Sequence, residues 1–470
     1  MIRTLTATTL AATALAATAL AAALASPAFA APPPGLREEA LGILTTGIGY
    51  RTVNPGDQMV PYAEYLKGVL VKAGYRPEDI RIQEMGGTAA LIARYPGTDP
   101  KKKPIVVLGH MDVVEAKRED WERDPFKAVV ENGYIYGRGA EDNKFDVSMV
   151  VATLAQLRRE GWKPGRDVIL ALSGDEETKM VTTQWLANEL KNAEFALNAD
   201  GGGGTLDSQG RPMGYGLQAA EKTYADFTLT ITDPGGHSSA PTPGNPIYRM
   251  GRALEKLSAY RFPVMSNEIT RASAAALAPK RQGPVGEALK RFADNPQDAE
   301  AIAALSADKD IAPQLRTTCV ATMISGGHAP NALPQRAEAN VNCRIFPGVP
   351  AEEVRKTLET VMAEPGLSVV RVADDGSVDS PASPLRADVM TAVKRAVNAR
   401  YPGLPVTPSM SSGATDSMHF RAVGVPSYGV AGLFMRNEDS FAHGLNERAP
   451  VAAIDGSLDH WRSLLKDLAK

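Results

Sequence analysis

In the stretch ILALSGDEETKM an apolar run at 169–172 leads through a Ser-Gly pair into three acids, Asp175, Glu176 and Glu177. Ionised carboxylates are costly to bury without a partner. A buried-looking strand that delivers three of them implies either a solvated loop or a positive charge at that point. Similar donors recur along the chain. LGHMDVV ends an apolar run on His110 and follows it with Asp112, a spacing that sets both on one side of an extended backbone. A carboxylate so placed can hold the second ring N–H of a ligating histidine. YGRGAEDNK brings Glu141 and Asp142 after a glycine-rich turn, NADGGGG brings Asp200, and FAHGLNE brings His443. Each of these also has an ordinary reading: a structural His–Asp hydrogen bond, acids favoured at a helix N-terminus, an Asp-Gly turn, a lone histidine. Taken together, two histidines and three or more carboxylates suit zinc. A carboxylate shared between two ions suits a hydrolase with metals about 3.5–4 Å apart.

These donors need elements to bring them together. PIVVLGH (104–110) and DVILAL (167–172) are continuous apolar runs, as in parallel strands covered on both faces. Helices are expected over 59–73 and over 144–160, where Val147, Val150, Val151, Leu154 and Leu157 recur at helical spacing. FALNAD reads as a further short strand. In an open α/β sheet the carboxyl ends of the strands converge on one crevice, so His110, Glu176, Glu177 and Asp200 can all face it.

From about residue 220 the pattern changes. ADFTLTITD and EANVNCRIF alternate apolar and polar residues, as in an antiparallel sheet with one wet face. With helices at 246–259 and 350–363, and strands CVATMISGG and LSVVRVA, the order is β-α-β-β-α-β, a ferredoxin-like arrangement. Residues 265–315 read as a helical insertion. The expected division is residues 35–219 and 377–470 in a larger α/β part, with 220–376 inserted.

Composition narrows the chemistry further. Hydrophobic residues at 44% and charged residues at 22% are ordinary for a globular chain. A formal net charge of −3 gives no reason to expect nucleic acid or anionic lipid as a partner. Residues 1–30 carry one charge, Arg3, then an Ala/Leu-rich run and the site Ala28-Phe29-Ala30, the form of a secretory leader. Export to the periplasm or medium is therefore expected. No later run is long and apolar enough to span a bilayer, so no membrane association is expected after cleavage. The two cysteines, Cys319 and Cys343, cannot build a Cys-rich zinc site. They fall symmetrically about Asn331, so they are expected as cross-strand neighbours. On apolar strand faces the expectation is a reduced, buried pair.

GHMDVV, GRGAEDNK, GDEE, NADGG, PGGHSSAP, NALP, SGATDS and AHGLNE occur in the order found in metallopeptidase family twenty, which the chain resembles from about residue 38 to its C-terminus. That family includes glutamate carboxypeptidase, carboxypeptidase S, acetylornithine deacetylase, succinyl-diaminopimelate desuccinylase and aminoacylase. HMDVVEAKREDWERDPF, TDSMHF and the long insertion look most similar to the carboxypeptidase S branch. The resemblance implies a zinc-exopeptidase α/β domain with a mostly parallel sheet, interrupted by a lid or dimerisation domain. It implies two Zn²⁺ per chain, with Co²⁺ able to substitute. His110 and Asp200 would hold one ion, Glu177 and His443 the other, and Asp142 would bridge. Glu176 would be the general base and Asp112 would orient His110. His237 would reach a neighbouring subunit's site, and Asn331, Arg344 and Gly413 would contact substrate. Two departures bear on pocket shape: Phe145 follows Lys144 where the family commonly has glycine, and Lys179-Met180 follow GDEET where small residues are frequent.

The implied reaction is hydrolysis of an amide next to a free C-terminal carboxylate, in a peptide or an N-acyl amino acid. An aminoacylase or deacylase is the alternative within the same chemistry. A non-catalytic binding protein of this fold would dispense with Glu176 or a ligand, and none is missing. A homodimer through the inserted part and a monomer with the pairing edge covered by residues 265–315 both stand open.

Overall fold

The computed structural model describes residues 33–373 and 376–470; the leader expected over residues 1–30 lies outside them. The apolar runs form the centre of a ten-stranded sheet. Ile105–His110 lies parallel to Val168–Ser173 on one side and to Phe195–Asn198 on the other. Successive residues of this strand enter different cores. Ile105 and Val107 pack with helices Leu36–Gly49, Met59–Lys72, Lys144–Arg159, Ala387–Arg400 and Ala453–Leu468. Val106 and Leu108 pack with Leu186 and Phe420, from helices Val181–Glu189 and Ser417–Ala422. Both faces are dry, which is why the strand has no polar alternation. Each fully buried Leu, Ile or Val contributes about 1.5–3 kcal/mol relative to exposure.

The sheet is mixed. Thr88–Tyr95 runs antiparallel to Val168–Ser173 and pairs with Ile80–Met85 at the edge. Parallel pairing returns where Val406–Ser411 joins Pro212–Glu221 and Ser427–Gly429 joins Phe195–Asn198. Among the described residues no helix is long and apolar enough to cross a membrane.

At Lys222 the chain passes from one sheet to another: Pro212–Glu221 belongs to the large sheet and Thr223–Thr232 to a four-stranded antiparallel one. Its order is Thr318–Gly326, Arg336–Ile345, Thr223–Thr232, Ser368–Arg371. The expected alternation holds: Ala225, Phe227, Leu229 and Ile231 share a core with Val341, Cys343 and Ile345 under helices Pro246–Ala259 and Ala351–Met362. Helices Glu268–Leu277, Pro284–Asp294 and Ala299–Ala307 fill the insertion and have a core of their own around Leu289, Phe292 and Leu305.

Cys319 and Cys343 are direct cross-strand partners, as their spacing implied. The expectation that they stay reduced is corrected: the structure joins them in a disulfide and leaves no free cysteine among the described residues. Cys343 is buried, but Cys319 is only partly so, and cross-strand placement outweighs the apolar surroundings that suggested two thiols.

Candidate metal centre

The donors meet where the central strands end. His110 closes its strand with its ring 1% exposed, and Nε2 lies 2.9 Å from Asp142 Oδ1. The other oxygen of that carboxylate, Oδ2, is 3.3 Å from His443 Nε2, and the same imidazole nitrogen is 2.9 Å from Glu177 Oε1. One carboxylate therefore faces two imidazoles. Ligand atoms of His110, Asp142 and Glu177 all fall within 4.8 Å of one another. Asp200 completes the charge cluster. Burial raises its pKa well above the usual carboxylate range, and Asp142 raises it further, while His110 acts in the opposite sense.

Asp112 is fully buried and does two jobs. Its backbone carbonyl lies 3.1 Å from His110 Nδ1 and its Oδ1 lies 3.5 Å away, so it orients the ring mainly through the main chain. Its carboxylate accepts the backbone N–H groups of Glu176 at 3.1 Å and Glu177 at 3.0 Å. That pair of bonds fixes the turn carrying the two glutamates. The three acids after the strand thus divide. Asp175 accepts the N–H groups of Val181 and Thr182 at 2.7 and 2.9 Å, a capping role at the next helix. Glu177 meets His443. Glu176 is buried, and its carboxylate makes no protein hydrogen bond among the described residues. Burial pushes its pKa well up against the lowering effect of His110, and Asp200, Asp416 and Glu177 add to the rise.

The local chemistry fits a cation. Buried carboxylates outnumber the imidazoles. Two of them are pushed toward their neutral forms, whereas hydrogen bonds to Asp112 and Asp142 hold His110 well above its ordinary value despite its burial. His443 is raised to about 10 by its bonds to Asp142 and Glu177. A divalent ion would supply the missing positive charge through these same lone pairs.

Several residues that position the centre carried no assignment in the sequence. Glu447, the last residue of AHGLNE, is fully buried and accepts from Arg138 Nη1 at 2.6 Å. It also accepts from the backbone N–H groups of Gly139, Glu141 and Asp142 at 3.1, 2.8 and 3.0 Å. Glu141 reaches the other way, to Ser440 Oγ and the Phe441 N–H, both at 2.7 Å. The two loops that deliver Asp142 and His443 therefore hold each other. Asn198 accepts the Asp200 N–H at 2.9 Å and donates to Thr415 and Ser417. Asp416 accepts from Ser173 Oγ at 2.7 Å and Thr183 Oγ1 at 2.5 Å beneath the cluster. The glycines after Asp200 allow close approach: a Cβ at Gly202 would lie 2.3 Å from the Gly429 carbonyl oxygen. Of the two departures, Phe145 and Met180 are buried side chains and Lys179 is exposed.

Among the described residues the remaining candidates make no hydrogen bond to the cluster. His237 is exposed, its Nδ1 2.8 Å from Ser239 Oγ, on a two-residue strand paired with Ala332 and Leu333. Asn331, also exposed, accepts the Ser238 N–H through its carbonyl at 3.1 Å. Among the described residues neither side chain bonds to the metal donors. Arg344 lies over the Tyr224 ring at 4.8 Å, and its Nη1 donates to the Ser412 carbonyl at 2.9 Å. It therefore abuts the loop of Gly413, whose N–H bonds Ser411 Oγ.

The model of peptidase family M20/M25/M40 matches residues 106–467. The chain is 28% identical over 371 residues to the human N-fatty-acyl-amino acid synthase/hydrolase PM20D1, covering 76% of this chain and 73% of that protein. It is 25% identical over 399 residues to a probable carboxypeptidase S-like protein of Dictyostelium discoideum, covering 81% and 75%. Its fold resembles the crystal structure of an M20 family metallo-carboxypeptidase, Sso-CP2 from Sulfolobus solfataricus. That match has a TM-score of 0.69 at 21% identity and covers 91% of this chain and 99% of that one.

Proposed function

Because the chain belongs to peptidase family M20/M25/M40, and is a hydrolase of that metallopeptidase group, we propose that it cleaves an amide bond beside a free carboxylate using a two-zinc centre. The observation that carries this reading is the Asp142 carboxylate facing His110 with one oxygen and His443 with the other. His110 and Asp200 would hold one ion and Glu177 and His443 the second, with Asp142 common to both. When bound, such ions lower the pKa of a water toward about 7 and polarise a carbonyl. Glu176 takes the proton of the attacking water and returns it to the leaving amine. Asp112 keeps Glu176 and Glu177 at different tasks by holding both of their amides.

Arg344 is the reader of the substrate carboxylate in this proposal, because a planar fork suits a bidentate partner. Arg344→Ala is expected to lower kcat/KM for free-carboxylate substrates by about ten- to a hundredfold, the scale of a lost charge-assisted bond. Amidated or esterified analogues should change far less. Equal losses on both would remove Arg344 from this role. A carboxypeptidase or dipeptidase reaction is the main reading. Hydrolysis of N-acyl amino acids is supported by the similarity to PM20D1, and comparing dipeptides with N-acyl amino acids on the metal-loaded enzyme separates the two. Export through the N-terminal leader belongs to the same proposal.

A two-fold dimer is supported by the exposed edge strand Thr318–Gly326, where Val320, Met323 and Ile324 are 59%, 71% and 62% exposed. Among the described residues the insertion lies beside Ser409 and Met410, and the side chains of this edge strand stay exposed. In such a dimer His237 stabilises the oxyanion in the partner's site. Mixing inactive His237→Ala and inactive Glu176→Gln chains, with subunit exchange demonstrated, should then restore part of the activity. No recovery would place His237 within its own chain or outside catalysis.

A further inference from the structure

The helical insertion and strand Val406–Ser411 line a half-open pocket of about 220 Å³. Its wall is mainly apolar, with Leu277, Leu289, Phe292, Ile311 and Met410 contributing. Native interiors are close-packed and hold few voids wider than a water. An apolar hollow of about 150 Å³ already stays dry and takes up benzene, so this one has room for an alkyl chain or a ring. It is partly open to solvent, and Leu277 on its wall is 36% exposed.

Its place in the fold ties it to Arg344, the residue proposed to read the substrate carboxylate. Gln314, in the same wall, donates from Nε2 to Ser412 Oγ at 3.3 Å, and Arg344 donates to the Ser412 carbonyl at 2.9 Å. Wall residues Ser409 and Met410 run directly into Ser412 and Gly413. Lys222 clamps the two segments: its backbone N–H bonds the Ser411 carbonyl at 3.0 Å. Its Nζ bonds the carbonyls of Pro313 and Arg316 at 2.5 and 2.7 Å. The cavity and the arginine assigned to the substrate carboxylate therefore share one short, fixed segment.

We propose that this cavity is a substrate subsite for an apolar chain, so that the enzyme prefers carboxylate-bearing amides with a long aliphatic or aromatic group. The inference rests on the hydrolase reading above. The chain can come from the acyl group or from the side chain beside the carboxylate, and both present the same surface to the wall. Two substrate series distinguish them on the metal-loaded enzyme: N-acetyl- to N-decanoyl-alanine, and N-acetyl-alanine to N-acetyl-phenylalanine. Ala274→Phe, which fills the cavity, is expected to reduce the long-to-short ratio of kcat/KM at least fivefold in one series, and that series names the source. A smaller reduction in both overturns the subsite. Leu277→Trp, at the exposed part of the wall, replaces Ala274→Phe if that variant does not fold. Failure of the hydrolase reading is seen separately, as wild-type enzyme that cleaves neither short substrate. In that case binding of cis-parinaric acid, a fluorescent fatty acid, decides: weakening of at least fivefold by the same variant supports the cavity, and less overturns it.

Discussion

Glu176→Gln is expected to lower kcat by about a hundred- to ten-thousandfold, the range for loss of a general base, while metal content and melting temperature stay near those of the wild type. The geometry separates this residue from its neighbour. Glu177 is engaged by His443 at 2.9 Å, whereas the Glu176 carboxylate makes no protein hydrogen bond among the described residues. Its main chain is held by Asp112, so an amide in place of the acid keeps the turn and removes only the proton acceptor. Glutamine is nearly isosteric with glutamate, which leaves no packing defect to confuse the result. A variant with near-normal kcat, or one that loses its metal, would show that the roles of Glu176 and Glu177 have been exchanged or misassigned.

Asp142→Ala is expected to act on both ions at once. Changing a residue that merely supports a ligand costs about 10–100-fold in metal affinity, and removing a carboxylate common to two ions should exceed that. Metal bound per chain should fall by more than half at micromolar free zinc, and activity should fall with it. Glu177→Gln, which touches one ion in this scheme, should leave the other in place. The backbone of residue 142 is held by Glu447 through its N–H, so the loop should survive the substitution. Full metal content in Asp142→Ala would refute the bridging assignment.

What could be read from sequence follows how local the signal is. The strands at 105–110 and 168–173, the helix beginning at Lys144 and the β-α-β-β-α-β order all rest on periodicity within a few residues, and all appear in the structure. The antiparallel edge formed by Ile80–Met85 and Thr88–Tyr95 gave no comparable signal. Nor did the sharing of one sheet between Pro212–Glu221 and Val406–Ser411, a pairing set by tertiary packing across almost two hundred residues.

Within the candidate site, His110, Glu176, Glu177 and Asp200 were legible as candidate donors because chemistry restricts which residue types can serve as ligands. The assignment of Asp142, Glu177 and His443 as ligands came instead from the resemblance to metallopeptidase family twenty. Glu447 and Asn198 were not legible, though both lie inside quoted motifs. A buried glutamate that accepts three backbone amides looks in sequence like any other acid at a loop end. Cys319 and Cys343 show the same limit: their opposition followed from symmetric spacing, but whether they bond depends on the local approach of two strands.

This donor set is expected to work only as a two-ion centre. Its most direct test is to strip the protein with a chelator, confirm by elemental analysis that it is metal-free, and titrate back Zn²⁺ while following hydrolysis of a free-carboxylate amide. No activity is expected at the start, followed by a rise that saturates near two equivalents per chain. Full activity in the stripped protein, or saturation at one equivalent with no further ion bound, would contradict it.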